Sequence, residues 1–239
     1  MTENRQNYYW VTGVSIFLGL VALGYLLGSS IIKVKQLERT VVVKGLSERE
    51  VEADVALWPI QFRRAANDIA EIYRALEKDA QKIIDFLQKN GIRNEEISVS
   101  APAITDKLAR EYGGAESFRM RYVASQTITV YSSNIKMVRN AMMKLVELGK
   151  QGIVFSGENY ENRTEYLFTR LNELKPVMVE EATRKAREVA EKFARDSNSK
   201  LGKIKRASQG QFSIRERDRN TPYIKKVRVV STVEYYLVD

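Results

Sequence analysis

The 239-residue chain contains no cysteine and no histidine. Without cysteine there is no disulfide to staple the fold and no thiolate nucleophile. The compartment stays open, because a cysteine-free chain is safe in oxidising and reducing spaces alike. Without histidine the chain lacks the commonest general base, the commonest zinc ligand and the side chain that titrates near neutral pH. Ser-His-Asp and Cys-His catalysis are therefore excluded. A phosphate-binding loop of the G-x-x-x-x-G-K-[ST] kind is missing too: in GIVFSGEN the second glycine, Gly157, is followed by Glu158 where lysine is required. Serine and lysine are present, but no spacing selects a dyad. Glu48, Glu50, Glu52 and Asp54 crowd together and could in principle offer oxygen ligands to a metal. Their every-second-residue spacing favours one solvated strand face instead, so neither metal nor cofactor is expected. The reading is of a protein that is not an enzyme.

What the chain does contain is a long apolar run near its start. From Trp10 to Ile32 the sequence WVTGVSIFLGLVALGYLLGSSII carries no charge. At helical rise this stretch spans roughly 34 Å, enough to cross a hydrocarbon core of about 30 Å. Tyr8, Tyr9 and Trp10 form an aromatic cluster at one end, and Lys33 and Lys35 mark the other. A cleaved leader with Gly28-Ser29-Ser30 as its small-residue site is the competing reading. The run is longer than such leaders, and only Arg5 supplies a basic N-terminal region, so an uncleaved anchor is preferred. Within it, Gly24 and Gly28, and likewise Ser15 and Gly19, lie four residues apart, a spacing that can seat a helix–helix contact in lipid. Charge alone argues for a cytoplasmic domain, since Lys33, Lys35 and Arg39 outnumber Arg5; that rule is weakest when a long domain follows. The organisation expected is a short N-terminal segment at 1–9, an anchor at 10–32, a linker at 33–39 and a folded domain at 40–239.

Beyond the anchor the composition is globular, 44% hydrophobic and 29% charged, enough for one or two domains with a core. Periodicity predicts strands at Thr40–Gly45, Val51–Phe62, Glu96–Thr105, Arg121–Tyr131 and Gly152–Tyr160, with two more near 203–214 and 226–238. Pro59 belongs on an edge or at a bulge. Helices are predicted over about 65–89, stopping at Asn90-Gly91, over 134–148, and from about 165 to 197, where Pro176 should start or kink a helix. Residues 106–117, with Gly113-Gly114, read as a loop. The fold class is α+β, an antiparallel or mixed sheet packed by two long helices.

The net charge of +9 raises the question of an acidic partner. The arginine-rich helix at 180–196 does not answer it. Five acids there balance five bases, and Glu180/Arg184, Glu181/Lys185, Glu188/Lys192 and Glu191/Arg195 stand four apart with the acid first. Its other face carries Ala182, Ala186, Ala190 and Ala194, a small-residue stripe that lets another element approach closely. Phosphate binding would need unpaired cations, so this is a packing helix and a nucleic-acid partner is not expected. The charge lies further on, where ten bases face two acids between Lys200 and Arg228. Arg215, Arg217, Arg219, Lys225, Lys226 and Arg228 form the candidate patch for an anionic lipid or acidic protein. The plainer reading, charges that guard an edge strand, is preferred, and Phe212 and Tyr223 are too few to stack bases.

Several stretches resemble the SIMPL-domain family of bacterial envelope proteins: VVVKGLSEREVEADVA, NGIRNEEISVSAPAI, YVASQTITVYSSNIKMV and the run from EATRKAREVAEKFARDSNSKLGKI to the final VRVVSTVEYYL. The match covers about Val41 to Val238 and is similar to the subgroup that keeps an N-terminal membrane segment. The resemblance implies an exported α+β domain beyond the inner membrane that tends to homo-oligomerise, with the segment at 1–9 cytoplasmic, and it offers no active-site residues to carry over. The function expected is therefore a non-enzymatic, anchored envelope protein that assembles with itself into a ring- or cage-like scaffold, with a part in envelope stress protection. The alternative is an adaptor that binds an anionic lipid or acidic protein through the basic hairpin.

Overall fold

The computed structural model describes residues 3–36, 39–109, 119–157 and 162–238. The Gly113-Gly114 loop, residues 158–160, and the side chains of Tyr8, Tyr9, Lys33 and Lys35 lie outside the described residues. In chain order the elements are α1 (Glu3–Gln36), β1 (Thr40–Glu52), β2 (Val55–Ala66), α2 (Ile69–Lys89), β3 (Ile97–Val99), β4 (Ala103–Asp106) and β5 (Tyr122–Ser132). Then come α3 (Ile135–Met143), α4 (Val146–Lys150), β6 (Val154–Phe155), β7 (Glu165–Leu167), α5 (Leu171–Asp196), β8 (Lys200–Gln209), β9 (Ser213–Glu216) and β10 (Ile224–Val238). The fold is α+β with antiparallel sheets. The chain forms two compact units, one of Met1–Glu48, Lys175–Phe212 and Arg228–Asp239, the other of Arg49–Leu174 and Ser213–Val227.

The first unit is built on the close approach of β1 to α5. Strand order in its sheet is β1-β10-β8. Val43 on β1 and Val233 and Tyr235 on β10 pack against Ala186 and Ala190 of α5. The four alanines Ala182, Ala186, Ala190 and Ala194 are all buried, and the apolar face they form is what holds the helix to the sheet. Gly45 is the tightest point. A Cβ there would overlap the Ala182 carbonyl oxygen and lie 2.6 Å from the Ala186 nitrogen. Beside it the buried Ser47 hydroxyl donates to the Glu181 carboxylate at 2.9 Å, so this polar group is satisfied. The outer face of α5 is self-paired, through Glu181–Lys185, Arg184–Glu188 and Arg187–Glu191. Only the first of these has the acid-first order the sequence favours; Glu188 turns back to Arg184 instead of forward to Lys192.

The second unit holds the larger core. β2 and β5 pair antiparallel from Ala56↔Ser132 to Ala66↔Tyr122. Trp58, Ile60, Ile128 and Val130 from these strands meet Ile72, Leu76, Ile83 and Leu87 of α2 in one buried cluster. α2 begins at Asp68, whose carboxylate accepts from the Glu71 backbone N–H at 2.8 Å, and stops at Asn90-Gly91, where Gly91 takes φ +92°. Buried Asp79 on α2 is met by the Arg64 guanidinium of β2, with Nη2 to Oδ1 at 2.9 Å and Nε to Oδ2 as the second prong.

Three elements expected as single pieces are split: the strand at 96–105 into β3 and β4, the helix at 134–148 into α3 and α4, and the strand near 203–214 into β8 and β9. Three further differences from the periodicity have local causes. The strand expected over Val51–Phe62 is two strands, because the chain turns a corner at Ala53-Asp54; alternation continues through the corner and hides it. Asp54 fixes that corner by accepting from the backbone N–H groups of Thr169 and Arg170 at 2.9 and 3.1 Å. Pro59 lies on a strand paired on both sides, not on an edge. Gln61 accepts from the Ser156 N–H, so the polar groups of Gln61 and, two residues earlier, Pro59 face the β6–β7 side. There β7 covers only Val55–Leu57 and β6 only Phe62–Arg63, and the proline falls in the gap. The third difference is at 165–170, which begins as strand β7; α5 starts at Leu171 and then runs through Pro176 without a break.

Substituting Gly45 by alanine should therefore destabilise the first unit by about 3 kcal/mol, the upper range for overpacking, since the obstacle is helix backbone that has no rotamer to change. Gly45→Val should prevent folding of that unit. Chemical denaturation checks both, and a Gly45→Ala protein as stable as the parent would refute the contact.

Candidate functional site

In the second unit β7, the segment into α5, β9 and the start of β10 enclose an open cleft of about 710 Å³. Its walls mix charge and hydrocarbon: Arg163, Arg215, Glu216 and Lys225 beside Leu167, Phe168 and Ile214. β10 puts Lys225 there by simple alternation, with Lys225, Val227 and Val229 inward and Lys226 and Arg228 outward. Lys225 is only 7% exposed. Its ammonium stands 3.7 Å from the Glu216 carboxylate, whose other oxygen takes the Arg163 guanidinium at 2.9 Å. Burial holds the Lys225 ammonium below the ordinary lysine value, and the pull of Glu216 only partly offsets it.

The tip of the β9–β10 hairpin is a different arrangement. Asp218 accepts from the backbone N–H groups of Asn220 and Thr221, both at 2.8 Å, and from the Thr221 hydroxyl. These bonds and Arg217 hold its carboxyl far below the usual range. Arg217 spans the turn, donating to Asp218 at 2.9 Å, to the Thr221 hydroxyl at 2.8 Å and to Glu50 at 3.4 Å. Tyr223 closes the hairpin base, edge-on to Tyr166 with ring centroids 6.1 Å apart and with the Arg139 guanidinium 3.8 Å above its ring.

The six basic residues singled out in the sequence thus do not form one uniform patch. Arg217 is spent inside the turn and Lys225 is turned into the cleft. Arg215 and Arg219 are exposed and without an ion-pair partner among the described residues, while Arg228 is exposed on the part of β10 that belongs to the first unit. Lys226 is half-buried and engaged. The residues the sequence did not single out are Arg163 and Glu216, the latter one of the two acids among the ten bases of 200–228. The acidic run also disperses. Glu50 meets Arg217, Asp54 holds the corner, and among the described residues no group of three or more acidic side chains could hold a metal ion. On α1, Trp10 is exposed, and a Cβ at Gly19, Gly24 or Gly28 would meet nothing within 4 Å; Ser15 lies one turn before Gly19 on the same helix.

With two antiparallel sheets, an alanine-lined helix and a preceding apolar helix in place, the class is an α+β domain behind a candidate membrane span. Residues 41–234 match the model of the SIMPL family, described as proteins of unknown function (DUF541), and the chain belongs to that family. A comparison with curated proteins gives no match.

Charge reversal should sort the basic residues by role. Lys225→Glu places a second carboxylate against Glu216 and should lower stability by about 3 kcal/mol, the scale for an unpaired buried charge. Arg215→Glu and Arg219→Glu should leave the melting temperature unchanged. Equal effects at all three positions would contradict the division.

Proposed function

We propose that the protein is a non-enzymatic envelope scaffold, held in the inner membrane by α1, with its folded domain on the periplasmic side and copies joined head to tail. The observation that carries this reading is α1 itself. Its segment Thr12–Ile31 has mean hydropathy 2.0, and none of it is buried against the rest of the chain. A 20-residue apolar helix with no protein cover is matched in length to lipid. The periplasmic placement follows the family resemblance against the local charge count, which long domains override.

Self-association is supported by the two edges of the four-stranded sheet. Among the described residues β8 pairs only with β10, and seven consecutive residues from Lys203 to Gln209 are exposed. Such an edge offers unpaired backbone groups to another strand. β8 carries Lys200, Lys203, Lys205 and Arg206 with no acid, which disfavours pairing with itself. The opposite edge, β1, carries Glu48, Glu50 and Glu52 against Lys44 and Arg49. Unlike edges of this kind join heterologously, and heterologous contacts close into rings when the rotation permits. Lacking histidine and cysteine, the chain is suited to such a structural role more than to catalysis.

Full-length protein in mild detergent should run as one discrete oligomer by light scattering, and Lys203→Glu with Arg206→Glu should shift it to smaller species. Arginine at Gly24 and Gly28 should free the protein from membranes and leave the oligomer intact. A monomeric parent protein would end the scaffold reading.

A further inference from the structure

We propose that the cleft of the second unit is a binding site for a small amphiphilic carboxylate, with the anionic head on Lys225 and a short hydrocarbon tail along Leu167 and Ile214. This goes beyond the scaffold reading and does not depend on it.

The head group is argued from unsatisfied donors. An ammonium has three N–H donors. That of Lys225 has one ion-pair partner among the described residues, Glu216 at 3.7 Å, beyond hydrogen-bond length. Its stem is buried while its tip lies on the cleft, so an incoming oxygen meets a poorly hydrated cation. Arg215 stands at the same cleft with no partner among the described residues, and Arg163 gives Glu216 the closer of its two contacts. Three cations and the two carboxylates Glu165 and Glu216 leave the lining one charge positive. One charge suits a carboxylate; a phosphate dianion would leave the site overcompensated and close to two resident carboxylates.

The tail is argued from uncovered hydrocarbon. Leu167 and Ile214 are 37% and 38% exposed, and Phe168 is half-buried between the charged walls. Apolar side chains converging with a few polar groups are the usual make-up of a small-molecule site. Specificity then follows from the pair of features: a neutral alcohol of the same length loses the charge-assisted bond, and a bare inorganic anion loses the hydrocarbon contact.

Hexanoate, hexanol and inorganic phosphate are the probes, titrated into the full-length protein in a non-ionic detergent above and below its micelle concentration, so that partition into micelles is separated from binding. Hexanoate should bind at one site with a Kd of about 1 mM, the affinity that ligand efficiency sets for roughly eight non-hydrogen atoms. Hexanol and phosphate should bind at least tenfold more weakly. Lys225→Met keeps the stem and removes the charge, and should weaken hexanoate about tenfold or more with no change for hexanol. Should that variant fail to fold, Ile214→Asp, at an exposed position, should give the same loss. Absence of saturable hexanoate binding, equal binding of phosphate, or full affinity in both variants would overturn the site. The oligomer's mass is unaffected by any of these results.

Discussion

The approach of Gly45 to the backbone of α5 fixes the spacing on which the first unit depends. A chain with no disulfide and no metal-binding histidine must hold a helix to a three-strand surface by packing alone. Small residues on both sides shorten the distance, so that each atom at the contact finds a partner. With glycine on the strand and alanine at every fourth helix position, almost no side-chain entropy is lost there. Larger side chains, Val43, Val233 and Tyr235, are then free to fill the flanks of the contact. The arrangement is also unforgiving, because helix backbone on one side and strand backbone on the other leave nothing that can rotate away.

The second unit solves the same problem with volume. Its strands bring Trp58, Ile60 and Phe62 against Ile72, Ile83 and Leu87, and its polar fixtures sit where the chain must change direction. Asp54 at the corner, Asp68 at the start of α2 and Asp218 in the last hairpin each accept backbone N–H groups that would otherwise be orphaned. For Asp54 burial pushes the carboxyl up, and the hydrogen bonds from Thr169 and Arg170 more than reverse this, leaving it below its ordinary value. Such a group stabilises the fold above its unfolded value and loses that contribution as pH falls through the lowered one. The turns of this unit are thus held by charge, while its core is held by hydrocarbon.

Much of this was legible in the sequence, and the failures have identifiable causes. The alanine stripe at 182–194 and the Asn90-Gly91 stop could be read because each rests on local chemistry. The corner at Ala53-Asp54 could not, since apolar alternation in the sequence runs on through Val55 and Leu57 while the buried face changes from Val43, Gly45 and Ser47 on β1 to Trp58, Ile60 and Phe62 on β2. The contact that fixes the change, Asp54 capping Thr169 and Arg170, comes from residues more than a hundred positions away. Because a proline cannot donate, the sequence puts Pro59 on an edge or at a bulge. The gap between β6 and β7 meets the same requirement inside a sheet, which no local pattern announces. On α5 the pair Glu181–Lys185 keeps the expected acid-first order while Glu188 and Glu191 turn back to Arg184 and Arg187, a choice between neighbours that differ by only a few tenths of a kcal/mol and that spacing alone does not decide.

The basic hairpin shows why charge counts mislead. Ten bases in one stretch read as a single electropositive surface, yet strand alternation and a tight turn assign them to separate tasks. Arg217 is consumed by the turn because Asp218 must be compensated once it has capped two N–H groups. Lys225 is drawn inward because it occupies the same face of β10 as Val227 and Val229, and Glu216 partly offsets the cost of burying its charge there. What remains exposed is scattered: Arg215 and Arg219 on the hairpin, Arg228 on the far part of β10, and Lys200, Lys203, Lys205 and Arg206 along β8. A lysine kept in an apolar row where valine would pack better is an energetic concession. Buried lysine is rarely retained for stability, since a hydrophobic replacement of similar volume is often neutral or better. The position is therefore better explained by what the ammonium can reach in the cleft than by what it contributes to the fold.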